Sequence, residues 1–295
     1  MVDMTRGAGR RHRYAAILVA LCTAPPAGAL AADEIDPETL GVPSVSACSE
    51  RYPLVTAWQP ASDAGKAHAA IRKGFDTKRH WGTDTNVEVL TASASDLGKP
   101  ALRVRYPEGS SSPSDKRGGG AGFYASPAAL HGAESACLQY RVRFESGFDF
   151  VRGGKLPGLY GGKAPSGGET ANGKNGFSMR LMWREDGQGE LYEYVVDHEG
   201  TSVGRGAWTF PSGEWVTVEQ ELLLNDPGEA NGVARLWIDG RPVLEQRGIV
   251  YRTTPELTID GLMFSTFFGG TGKGWRSPRD QHADFADFRI FAPAP

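Results

Sequence analysis

Apolar and polar side chains alternate along most of this chain. The runs "ALRVRY", "CLQYRVRFE", "FSMRLMW", "ELYEYVV", "WVTVEQELLL", "VARLWI", "LTIDGLMFSTFF" and "FADFRIF" repeat with a period near two and are bounded by turn residues, as strands with one buried face do. Hardly a long helical stripe follows residue 80. "SDAGKAHAAIRKGF" (62–75) is the one segment with helical spacing. Asp239-Gly240 inside "ARLWIDGRPVLE" predicts a tight hairpin, because that pair accepts positive φ. The pattern predicts an all-β protein, an antiparallel β-sandwich built as a concanavalin-like jelly roll. Two stretches break it and read as surface loops, "EGSSSPSDKRGGG" (108–120) and "GGKLPGLYGG" (153–162). The second sets one lysine and one tyrosine among glycines and a proline, as a site needing close backbone approach and a fixed cation would.

The first 31 residues stand apart. Arg6, Arg10, Arg11 and Arg13 precede the apolar run "YAAILVALCTA" and then "AGALA", the layout of an export signal cleaved after Ala31. The run is shorter than the roughly 20 residues a membrane span needs. We therefore divide the chain into a signal peptide (1–31), a partly irregular N-terminal segment with a short helix (32–80) and the jelly roll (81–295). The expected location is outside the cytoplasm, secreted or periplasmic, without membrane attachment once the signal is removed. Cys48 and Cys137 are the cysteines left, and an oxidising compartment predicts a bridge between them. Leaving out the four arginines and one aspartate of the leader moves the formal charge from −3 to −6. Such a balance disfavours nucleic acid, whose binding rests on neutralising many phosphates. An anionic ligand needs a local basic cluster. We expect a monomer.

One such cluster is legible. In "GFSMRLMWREDGQGELYEYVV" the residues Phe177, Met179, Leu181 and Trp183 point to one face, and Ser178, Arg180, Met182 and Arg184 to the other. A hairpin centred near Gly187 sets Arg180 opposite Tyr194 or Tyr192. Any register with an even residue sum gathers Ser178, Arg180, Tyr192 and Tyr194 on one sheet surface, which the alternation predicts to be solvent-lined.

With "GGKLPGLYGG" ahead of this hairpin, "GGGAGFYASP" before it and "LMFSTFFGG" after, the chain resembles polysaccharide lyase family 14, the alginate and glucuronan lyases. The similarity covers about residues 100–290. It implies a jelly roll with an open cleft on its concave sheet, an anionic uronate polysaccharide as substrate, and Lys155, Ser178, Arg180, Tyr192 and Tyr194 as the matching catalytic positions.

Those residue types suit β-elimination. The C5 proton of a uronate is too weakly acidic to leave while the adjacent carboxylate keeps its charge. Arg180 and Lys155 can neutralise that group. A tyrosine, ordinarily titrating near 10, is drawn toward phenolate by neighbouring cations and can take the proton. The same phenol or its neighbour then protonates O4. In mannuronate and glucuronate H5 and O4 lie on one side of the ring, which favours syn elimination. No metal or other cofactor is expected. Arg117 in "KRGGGAGFY", Tyr160 in the glycine-rich motif and His198, on the parity of the two tyrosines, are expected to contact the polymer, His198 also as an auxiliary base.

Three other readings compete. A non-catalytic carbohydrate-binding module would use the same aromatic, arginine-bearing face. A glycoside hydrolase needs two carboxylates, which "EIDPE" (34–38) imitates, though Pro37 disfavours a central strand there. Asp280, Asp284 and Asp287 offer oxygens to calcium, or mark an ordinary strand start.

Overall fold

The computed structural model describes residues 36–61, 66–75, 77–270 and 272–294, and the predicted leader lies outside them. Among these residues the strands are β1 (Leu40–Gly41), β2 (Leu54–Trp58), β3 (Thr77–Trp81), β4 (Val87–Leu90), β5 (Ala101–Tyr106), β6 (Ala121–Ala125) and β7 (Ser135–Phe144). They continue with β8 (Gly153–Gly162), β9 (Gly176–Arg184), β10 (Gly189–Val195), β11 (His198–Val203), β12 (Val216–Leu223), β13 (Gly232–Ile238), β14 (Arg241–Ile249), β15 (Gly261–Phe268) and β16 (Gln281–Phe291). One nine-stranded sheet runs β1-β14-β13-β12-β7-β16-β5-β4, with β2 also on β16, and a seven-stranded sheet runs β11-β10-β9-β8-β15-β6-β3. All pairings are antiparallel, as predicted for the sandwich. Asp239 and Gly240 both take positive φ at the β13–β14 turn.

The alternating apolar residues of both sheets meet between them. Phe123 stacks on Phe264 at 4.6 Å, and Trp183 lies against Tyr106, Phe144 and Phe268. Such rings bury 150–250 Å² each and dominate the core energetics.

The boundary drawn at residue 80 does not divide this structure. β1 and β2 pair into the nine-stranded sheet and β3 closes the edge of the other. Helix α2 (Ala67–Phe75) buries Ala70, Ile71 and Phe75, the last of these against Trp58, Phe123 and Phe288. The short helix α1 (Cys48–Arg51) lies on the outer side of the nine-stranded sheet, where Cys48 is bonded to Cys137 of β7 (S–S 2.03 Å, Cα–Cα 5.8 Å).

The glycine-rich segment is not a loop. Residues 153–162 are the central strand β8, buried almost throughout. Composition misleads here because the glycines answer to neighbours rather than to chain flexibility. A Cβ on Gly154 would lie 2.1 Å from the Trp183 indole, and one on Gly158 would lie 1.9 Å from the Met179 carbonyl oxygen. Pro157 cannot donate to a ladder, and the β8–β9 register shifts between Leu156 and Leu159. Gln220, fully buried on the opposite sheet, repairs the gap: its amide donates to the Met179 carbonyl (2.7 Å) and accepts from the Leu159 N–H (2.8 Å). Tyr140 adds a hydroxyl bond to the Pro157 carbonyl at 3.3 Å. Because the clash at Gly158 is with backbone, Gly158→Ala is expected to destabilise the fold by about 2–3 kcal/mol. A urea melt showing an unchanged midpoint would contradict this.

Candidate active site

The outer face of the seven-stranded sheet lines a cleft of about 760 Å³. β9 and β10 supply its centre. The three-residue turn Glu185–Gly187, with Asp186 at φ 57°, sets Arg180 opposite Tyr192 and Ser178 opposite Tyr194. Of the two pairings open to the sequence, the hairpin takes Tyr192. On the other side of β9, Lys155 of β8 pairs with Met182, so the lysine stands one strand over from Arg180 and two from Tyr192.

The face is sheltered rather than solvent-lined. Lys155 is 8% exposed and Arg180 only 3%. Two loops account for this: Ser112, Pro113 and Ser114 wall one part of the cleft, and Ser166, Gly167 and Gly168 another. Neither was foreseeable from strand alternation, because each is brought in from a distant part of the chain.

Lys155 Nζ lies 3.5 Å above the centre of the Tyr192 ring and 2.8 Å from Met182 Sδ. Burial, reinforced by the nearby charges of Arg180 and Arg184, holds its ammonium well below the ordinary lysine range. The Arg180 guanidinium sits 5.8 Å from the Tyr192 ring and 5.9 Å from that of Tyr194, and its Nε is buried with no hydrogen-bond partner among the described residues. Neither cation forms an ion pair with a described residue. The phenol of Tyr192 is pushed up to about 12, chiefly by burial and then by Tyr194, with Arg180 and Arg184 opposing. This reverses the expectation of a phenolate: desolvation outweighs the neighbouring cations. Tyr194 accepts a hydrogen bond from the Gly168 N–H at 3.2 Å. A Cβ on Gly200, at a bulge of β11, would fall 2.8 Å from the Tyr192 hydroxyl and 3.0 Å from that of Tyr194. Gly200 is thus a position the sequence reading missed.

Four other predicted residues lie elsewhere. Ser178 is fully buried and gives its hydroxyl to the Pro165 carbonyl at 2.6 Å, so it anchors the loop over the cleft instead of lining it. Tyr160, on the same sheet face, is covered by Tyr124 and bonded to Ser126 Oγ at 2.6 Å. His198 faces away from the tyrosines. The two-residue turn at 196–197 pairs it with core-facing Val195, which flips the parity read from sequence, and its Nδ1 lies 2.8 Å from buried Glu193. Arg117 is exposed outside the cleft and donates to the Glu108 carbonyl at 3.1 Å. Trp81, Met263, Ser265, Phe267 and Trp275 line the cleft instead; their spacing along the chain carried no signal of convergence.

The aspartates weighed for calcium are committed to protein partners. Asp284 takes Arg103 and Arg143 at 2.8 Å, Asp287 takes Lys99 at 2.9 Å, and Asp280 accepts the Glu108 N–H. Among the described residues one His/Cys/Asp/Glu group brings its ligand atoms within 4.8 Å of one another, Cys48, Cys137 and Glu219, and its two sulfurs are bonded together. Of "EIDPE", Pro37–Thr39 form a 3₁₀ turn and residues 34–35 lie outside the described set.

Residues 94–288 match the sequence profile of Polysaccharide lyase 14. The chain belongs to this family. It is therefore a polysaccharide lyase rather than a binding module alone, and the resemblance read from the glycine-rich strand and the hairpin is borne out. Among solved structures, the marine PL-14 alginate lyase from Aplysia kurodai is 31% identical with a TM-score of 0.73, over 82% of this chain and 100% of that one. Alginate lyase vAL-1 from Chlorella virus superposes with a TM-score of 0.66 at 23% identity, over 81% of this chain and 100% of its own, a likeness of fold. No curated protein matches the sequence.

Proposed function

We propose that this lyase cleaves a polymer of uronic acid, of the alginate or polyglucuronate kind, by syn β-elimination. The observation that carries the reading is the pair of buried basic side chains, Arg180 and Lys155, which have no carboxylate partner among the described residues and face two phenols in one cleft. An unpaired buried guanidinium is costly, and a substrate carboxylate supplies the missing partner. The similar Aplysia kurodai protein is an alginate lyase, which supports the substrate class.

In this reading the planar fork of Arg180 receives the carboxylate in two hydrogen bonds. That withdraws charge from the group and renders the C5 proton removable. Lys155, its ammonium held well below the ordinary range, is a free amine at alkaline pH and takes that proton. The electrons of the C5–H bond form the C4–C5 double bond, and the C4–O4 bond breaks. Tyr192, a protonated phenol up to about pH 12, gives its proton to O4. Lys155 then returns the C5 proton to the phenolate lying directly beneath it. Base and acid on one side of the ring suit mannuronate and glucuronate. Tyr194, held by Gly168, buttresses Tyr192, and Ser178 acts by fixing the loop that carries Gly168. An oxidising compartment outside the cytoplasm fits the Cys48–Cys137 bridge.

Purified protein mixed with polymannuronate, polyguluronate and polyglucuronate should generate the ultraviolet absorbance of the unsaturated product, fastest where H5 and O4 are syn. No absorbance with any of the three would refute the reading. Tyr192→Phe should lower kcat by about 10²–10³-fold with KM little changed, since the hydroxyl acts mainly in the transition state. Wild-type kcat in that variant would remove Tyr192 as the acid.

A further inference from the structure

Beyond Lys155 and Arg180, one end of the cleft carries a second cationic arrangement. Trp275 lines the cleft, and two guanidiniums rest on its indole, Arg184 at 5.7 Å and Arg152 at 5.3 Å from the ring centre. Arg184 belongs to the same face of β9 as Arg180, four residues along, or about 13 Å at strand spacing. Its direction is fixed from below. Glu190, fully buried, takes Arg184 Nε at 2.7 Å and Arg205 Nε at 2.8 Å, and Ser202 bonds both Glu190 and Arg184. The Nη1 of Arg184 is left without a hydrogen-bond partner among the described residues. Arg152 is exposed, lies outside the cleft lining and meets it through Trp275, and makes no hydrogen bond or ion pair to a described residue. Arg184 and Arg205 thus share one carboxylate, and Arg184 and Arg152 flank a cleft-lining indole.

Resting on the reading of the cleft as a polyuronate site, we infer that Arg152 and Arg184, spread over Trp275, form a second carboxylate subsite, which binds the acid group of a sugar neighbouring the one that is cleaved. Trp275 offers the flat apolar surface for that sugar's ring, and the two guanidiniums supply the charge at its edge. The enzyme then selects polymers in which uronates follow one another, and discriminates against chains where uronate alternates with neutral sugar.

The test is calorimetric binding, in the full-length chain carrying Lys155→Met so that the ligand is not consumed. The probes are a fully charged uronate oligosaccharide and the same oligosaccharide with alternate carboxyls reduced to alcohols. Adding Arg152→Gln should weaken the charged probe about tenfold, the scale of one charge-assisted contact, and leave the reduced probe unaffected. Arg152→Lys should recover part of the loss. Equal affinity of the charged probe for both proteins would overturn the subsite. So would an equal loss on both probes, which would mean that Arg152 merely steadies Trp275. If the charged probe binds with the predicted difference but wild-type protein yields no unsaturated product, the elimination reading fails while the subsite stands. If neither probe binds, both are overturned.

Discussion

Lys155→Met is expected to lower kcat by about 10³-fold or more and, in the same variant, to raise resistance to unfolding. The two effects share one cause. Burial beside Arg180 and Arg184 depresses the lysine in the folded state below its ordinary value of 10.5, so folding penalises the charged form. Below the folded pKa the native state must keep a buried ammonium, and the penalty is complete. As pH rises from the folded pKa toward 10.5 the amine is neutral in the fold but still protonated when unfolded, and the penalty fades. The stability gap between variant and wild type should therefore be widest below the folded pKa and close as pH rises toward 10.5. Under the proposed mechanism the rate of the wild type should run the other way, climbing as Lys155 loses its proton and falling only as Tyr192 ionises near 12. Urea melts and kcat/KM across this range check both. A variant that is less stable than wild type at pH 7 would argue against a buried charge penalty at this site.

The second large effect concerns the bridge. Replacing Cys48 and Cys137 together by serine releases a loop closed across 89 residues of sequence, and the chain-entropy relation puts the loss at about 4.6 kcal/mol. In a chain of this size that is a drop of about 10 °C in Tm. The bridge lies on the side of the nine-stranded sheet away from the cleft, so kcat at low temperature should be retained. A Tm shift under about 2 °C by calorimetry would show that the unfolded chain is constrained some other way.

The sandwich and the heart of the site were legible because both rest on local regularities. Alternation fixes which face a residue takes, and the even register of one hairpin is enough to put Arg180 on one face with Tyr192 and Tyr194. What escaped depends on distant parts of the chain. β8 looked like a loop because its glycines respond to the Trp183 ring and the Met179 carbonyl, neither of which composition reveals. Alternation also marked the Arg180 face as open to solvent, whereas loops at 112–114 and 166–168 cover it. His198 was misplaced by a single irregularity, the turn at 196–197 that reverses parity. The phenol was misjudged for a different reason: counting charges nearby ignores the larger cost of desolvating the phenolate.

The buried amide of Gln220 ties the strand bearing Lys155 to the opposite sheet. A long polymer held at several points along an open groove tugs on whatever grips it, through thermal motion and through its own recoil after scission. Were Lys155 on a free loop, that pull would drag the amine off its target. Here such a load would pass through Leu159 and Met179 into Gln220 and be shared by the nine-stranded sheet, which would keep the amine in the place the proposed elimination requires.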